Sequence, residues 1–166
     1  MAVVNTVGNV TTQLDASPAV RVDTAPLRGR KRIVTDFATV GTTDSATSTY
    51  RLGRVFSADM VTSMKLFNVA QAGFTSASIG LSQTAVNGGL VLSAACYALN
   101  ISLAAASTTG TELAFAVRTL DKSQQKVWAD GGLTADSLRQ YDITLTANTI
   151  AAVGGLIMLQ TEVVID

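Results

Sequence analysis

From Ile33 to the C-terminus, clusters of Gly, Thr, Ser and Asp cut the chain into short runs of β-prone residues. That punctuation restricts the fold more than any other feature of the sequence. Residues 31–40 read as a first strand, ended by Gly41-Thr42-Thr43-Asp44-Ser45. Residues 47–56 alternate, with Thr49, Arg51 and Gly53 on one side and Tyr50, Leu52 and Arg54 on the other. Ser57-Ala58-Asp59 is a turn, and 60–70 is apolar on both faces, as a central strand is. Residues 77–83 place Ile79 and Leu81 two apart, and Asn87-Gly88-Gly89 turns the chain. The cleanest period of two lies in 112–120, which predicts Leu113, Phe115 and Val117 facing inward. Tyr141, Ile143 and Leu145 repeat it, and 154–165 closes the chain with a long β-rich segment. The alanine-rich 92–106 reads as loop plus short strand, and 124–130 as a helical turn or two stopped by Gly131-Gly132. About eight strands, with turns roughly every 8–12 residues, predict an all-β antiparallel sandwich of jelly-roll type. No strand–helix alternation supports a doubly wound α/β fold.

The N-terminal segment is different. Residues 1–26 hold no sustained period and carry both prolines, Pro18 and Pro26. Four of the 12 Lys and Arg residues then crowd into Arg28-Gly29-Arg30-Lys31-Arg32. The expected organisation is an extended arm, 1–32, ahead of one sandwich domain, 33–166. Residues 1–13 have neither the basic nor the apolar region of a secretory leader. The longest apolar run, 150–159, is shorter than the roughly 18 residues of a membrane span. No membrane partner is expected.

Composition narrows the chemistry. With no histidine and one cysteine, the usual metal clusters and the Cys–His and Ser–His nucleophile pairs are ruled out. Cys96 sits in an apolar stretch without a basic neighbour and reads as a small buried hydrophobe. Asp121, Asp130, Asp136 and Asp142 read as turn and cap residues, because their spacing lacks the alternating acids of a calcium loop. Glu112 and Glu162, the only glutamates, are a candidate pair for glycoside hydrolysis only if folding brings them to one cleft. The glycine pairs match no phosphate-cradling loop. No catalytic residue, metal or cofactor is expected.

Twelve basic residues balance twelve acidic ones, so no overall charge favours nucleic acid, and no aromatics interleave with the basic cluster to stack on bases. Only 14% of residues are charged, against roughly 25% in an ordinary soluble domain. Such a surface suits a subunit packed against many neighbours. The candidate interface residues are Arg21, Arg28, Arg30, Lys31 and Arg32, as a patch for an acidic neighbour, and Trp128. Trp128 reads either as a core or edge plug or as an interface anchor.

Two stretches carry a resemblance. Asp44-Ser45-Ala46-Thr47-Ser48-Thr49-Tyr50-Arg51-Leu52-Gly53-Arg54-Val55, running into Met64-Lys65-Leu66-Phe67, resembles a group of small tailed-bacteriophage virion proteins. Val127-Trp128-Ala129-Asp130-Gly131-Gly132-Leu133-Thr134-Ala135-Asp136, followed by Tyr141-Asp142-Ile143, is similar to a second stretch of the same group. The chain departs from them at Gly53, Phe56-Ser57 and Ser137. The resemblance implies a head decoration or cement protein, made in the bacterial cytoplasm and bound to the outer capsid surface. Its partners would be the major capsid protein and sister copies, as a homotrimer. The alternative is a tail, fibre or receptor-binding module.

Overall fold

The structure, a computed structural model, describes residues 30–150 and 154–165. Eight strands run β1 Arg30–Val40, β2 Thr49–Phe56, β3 Met60–Asn68, β4 Ser76–Gln83, β5 Val91–Ile101, β6 Ser107–Glu112, β7 Gln140–Thr149 and β8 Gly155–Ile165. They form two antiparallel four-stranded sheets, ordered β1-β8-β3-β6 and β2-β7-β4-β5. In both sheets a strand from the end of the chain lies between two from its beginning, which is the jelly-roll arrangement of paired Greek keys. The expected all-β sandwich is what forms.

The core is aliphatic and comes from both sheets. Leu52, Val55, Ile79, Leu81, Ile143 and Leu145 of one sheet face Val61, Met64, Leu66, Ile157, Leu159 and Val163 of the other, each almost wholly buried. Strict alternation places them. Along β8, Ile157, Leu159, Thr161 and Val163 point in, while Leu156, Met158, Gln160 and Glu162 point out. Burying one such side chain stabilises by about 1.5–3 kcal/mol.

Three local expectations are corrected. Residues 91–101 form one long edge strand, β5, because successive register shifts let the alanine-rich stretch bend across β4. The strand expected over 112–120 ends at Glu112, where a turn intervenes and Ala116 N–H donates to Leu113 O (3.1 Å). Leu113 is buried as expected, but Phe115 is half-buried and Val117 exposed. Arg118 takes the interior position instead. The third correction concerns the domain boundary: β1 starts at Arg30, so Arg30, Lys31 and Arg32 belong to the sheet, in register with Ile165, Val164 and Val163. The expected helical turn is α1, Val127–Asp130, in the long connection between β6 and β7.

β2 also departs from simple alternation. A bulge between Arg51 and Arg54, with Gly53 at φ +135°, adds a residue against β7. Without it Arg54 would face the core with Leu52. With it Arg51 and Arg54 both face outward, and Leu52 and Val55 both face in.

β4 alternates Ala77, Ile79 and Leu81 in the core with Ser78, Gly80 and Ser82 on the outer side, yet all six are buried. The β5 backbone lies over the outer side. A Cβ on Gly80 would come within 1.9 Å of Ser93 O and 2.5 Å of the Ala94 carbonyl carbon. Gly80→Ala is therefore expected to lower unfolding stability by about 3 kcal/mol in urea titration. Unchanged stability would show that β5 does not press on β4 in this way.

Candidate functional site

The described residues hold no group of three or more acidic or cysteine side chains placed to bind a metal ion. No helix among them is long and apolar enough to cross a membrane. The polar groups that folding gathers are three clusters of ion pairs.

The first is built by the β2 bulge. Asp142 on β7 receives Arg51 Nη1 (2.8 Å) on one oxygen and Arg54 Nε (2.7 Å) on the other. Arg51 also donates to Gln83 O and Gly89 O, so the clamp reaches the β4–β5 turn. Burial opposes the charge on Asp142, but the two guanidinium groups outweigh it and hold the carboxyl below its usual range.

A second cluster is deeply buried. Arg118 and Asp130 have side chains only 3% and 1% exposed, with Nε 3.3 Å from Oδ1. Tyr97 Oη donates to Asp130 Oδ2 (3.0 Å), and Arg118 donates to Val61 O and Lys122 O. The guanidinium also lies over the rings of Phe115 and Tyr97, at 5.3 and 5.6 Å. Burial pushes the Asp130 carboxyl up to about 6 despite Arg118. Cys96 lies nearby, its thiol pushed up to about 12, first by burial and then by the Asp130 charge. Such a thiol is a packing group at neutral pH.

The third cluster gathers residues expected at an interface. Arg32 Nη2 donates to Asp59 Oδ2 (2.9 Å), with its guanidinium 5.7 Å from the Phe56 ring centre. Trp128, half-buried in α1, donates its backbone N–H to Ser57 O (3.1 Å). The 57–59 turn thus anchors both β1, through Arg32, and α1. Lys31 pairs with Glu162 across β1 and β8. Arg30 is exposed at the start of β1, and Arg21 and Arg28 lie outside the described residues.

The two glutamates come to one sheet. Glu162 lies opposite Ser63, and Ser63 Oγ donates to Glu112 Oε2 (2.6 Å). Both are occupied. Glu112 also accepts the N–H groups of Met64 (2.9 Å) and Ala114 (3.0 Å). Burial alone would raise its carboxyl, but these donors, with Lys65 nearby, hold it below its usual range. A general acid needs the opposite shift.

Beside these charges lies a surface that the interface candidates missed. On the outer face of the β1-β8-β3-β6 sheet, Phe37, Met158 and Phe67 form one row across three strands. The row ends on β6, where Gly110, at φ +81°, leaves room for the Phe67 ring. Leu156 and Val69 continue the apolar area, and a groove of about 250 Å³ opens between Phe67, Val69, Leu156 and Met158. Phe37 is 67% exposed and Ile33 57%. A contiguous apolar patch of this kind marks a surface made to be covered. Its signal lay in residues 33–40, where Ile33 and Phe37 sit out of phase with Val34, Ala38 and Val40. Two apolar phases on one edge strand leave one of them outside.

No family model matches the sequence, and no curated protein does. Among solved structures, the chain is similar to one described as the cyanophage Pam1 capsid asymmetric unit. The likeness has a TM-score of 0.53 at 10% identity, over 83% of this chain and 86% of the other. At that identity it shows a shared fold.

The two acidic clusters make opposite predictions with pH. Asp142 titrates lower when folded, so its pairs stabilise above the ordinary carboxylate range and are lost as pH falls through it. Asp142→Asn is expected to cost about 2 kcal/mol at neutral pH, with the gap to wild type closing below about pH 4. Urea unfolding at a series of pH values measures this. A gap that persists at low pH would mean packing, and not charge, holds β2 to β7.

Proposed function

We propose that this chain is a structural protein of a bacteriophage virion, a decoration or cement protein that binds the outside of the head and braces adjacent capsid subunits. The observation that carries the reading is the fold shared with the cyanophage Pam1 capsid chain over most of both lengths. The sequence stretches around Tyr50 and Trp128 that resemble small virion proteins support it, as does the exposed apolar face.

The work proposed is mechanical and not enzymatic. Each copy adds contact area across a joint between subunits, and specific stable interfaces bury about 1,200–2,000 Å². The β1-β8-β3-β6 face supplies an apolar surface with a charged border of Lys31, Glu162 and Lys65. The arm expected ahead of the sandwich lies, up to residue 29, outside the described residues. Partners in this reading are the major capsid protein and sister copies.

Capsids assembled without this protein provide the test. The purified full chain is expected to co-sediment with them and to raise the temperature at which they release DNA. A chain starting at Arg30 is expected to keep its fold, read by circular dichroism, while binding much less. Absence of co-sedimentation, or shells equally resistant to heat with and without bound protein, would overturn the reading.

A further inference from the structure

Each sheet of an open sandwich has two edges, and three of the four here are interrupted. β2 carries the Arg51–Arg54 bulge, β5 shifts register three times against β4, and β6 has six residues and a shift of its own. Short or bulged edges resist pairing with other chains. β1 has none of these features. It runs eleven residues in unbroken register with β8, and among the described residues β8 is its only strand partner. A long regular edge with exposed Ile33 and Phe37 is a template for another strand.

We propose that the strand it takes is β1 of a second copy. The two would join antiparallel about a two-fold axis at Thr35, fusing two four-stranded sheets into one. The sequence of β1 is complementary to itself in this register. All eleven residues overlap, and Thr35 meets the partner's Thr35. Ile33 lies opposite the partner's Phe37, and the reverse, giving two aromatic–β-branched pairs. Asp36 lies diagonally across from the partner's Arg32, already paired with its own Asp59, and the register sets no like charges directly opposite each other there. A slip of two residues in either direction loses both Ile33–Phe37 pairs, and a slip of one turns them to opposite faces. Parallel pairing in register would set Arg30, Lys31 and Arg32 against their own copies. At this edge the Phe37 N–H donates to Asp36 Oδ1 (2.8 Å), a local bond that pairing exchanges for an interstrand one. Full overlap yields about ten backbone hydrogen bonds, the number a typical specific interface carries. With no net charge on the chain, long-range repulsion between copies is small.

The contact is a property of the isolated chain and stands apart from shell binding. The test uses the full chain with Cys96→Ser as background, so that any disulfide is one placed by design. Thr35→Cys is expected to form a disulfide-linked dimer under mild oxidation, because residues facing each other across a strand pair lie within bridging distance. Thr39→Cys, on the same edge but opposite the partner's Lys31, is expected to stay unlinked. By sedimentation velocity at micromolar concentration the unmodified chain forms two-fold pairs, and Phe37→Asp abolishes them while its far-UV circular dichroism spectrum stays that of the folded chain. A monomeric wild type, equal linking at 35 and 39, or an assembly indifferent to Phe37→Asp would overturn the proposal.

Discussion

The placement of β8 is the interaction on which the remaining architecture depends. This last strand lies between β1 and β3, in register with eleven residues of one and eight of the other. Its inward residues supply part of the core, and its outward Leu156 and Met158 form the centre of the exposed apolar face. Remove β8 and β1 has no sheet, β3 loses its longer ladder, and the groove beside Phe67 has no wall. β7 plays the same part in the other sheet between β2 and β4. Because both inserted strands come from the last quarter of the chain, these contacts span long stretches of sequence. Folds dominated by such contacts form slowly.

Two buried acids show how one fold handles charge in two ways. Asp142 sits buried under two half-exposed, outward arginines, where pairing outweighs burial. Asp130 sits with Arg118 wholly inside, where burial outweighs pairing and the carboxyl rises to about 6. Its proton is held more tightly in the folded chain than in the unfolded one. That group therefore costs stability as pH rises from about 4 to 6, the reverse of Asp142. What the Arg118–Asp130–Tyr97 cluster supplies is geometry. It fixes the β6–β7 connection against β5 and β3 and seats α1 at the end of the sandwich.

The sandwich was legible in the sequence wherever one face of a strand is buried and the other wet. Tyr141, Ile143 and Leu145, or Ile79 and Leu81, announce themselves by period alone. Reading failed where a polar group overrides the pattern. Leu113, Phe115 and Val117 keep a period of two, yet Glu112 captures the Ala114 N–H and Arg118 turns inside, so the strand stops. β5 was obscured because its bulges serve the covering of Gly80, a contact with a distant strand that no local pattern records. The candidate surface was half visible. The basic cluster drew notice as charge, but Lys31 and Arg32 are committed to Glu162 and Asp59, and the apolar residues between them and Val40 are what lie open.

In the function proposed, the aliphatic core keeps the sandwich rigid while the open apolar face of the β1-β8-β3-β6 sheet takes up contact at a joint between subunits. Imaging assembled virions by electron cryomicroscopy to a resolution that separates sheets tests this most directly. The account predicts many copies of the sandwich on the outer surface of the head, each straddling neighbouring subunits with its β1-β8-β3-β6 face covered. Sandwich density confined to the tail, or heads bare of it, would contradict the account.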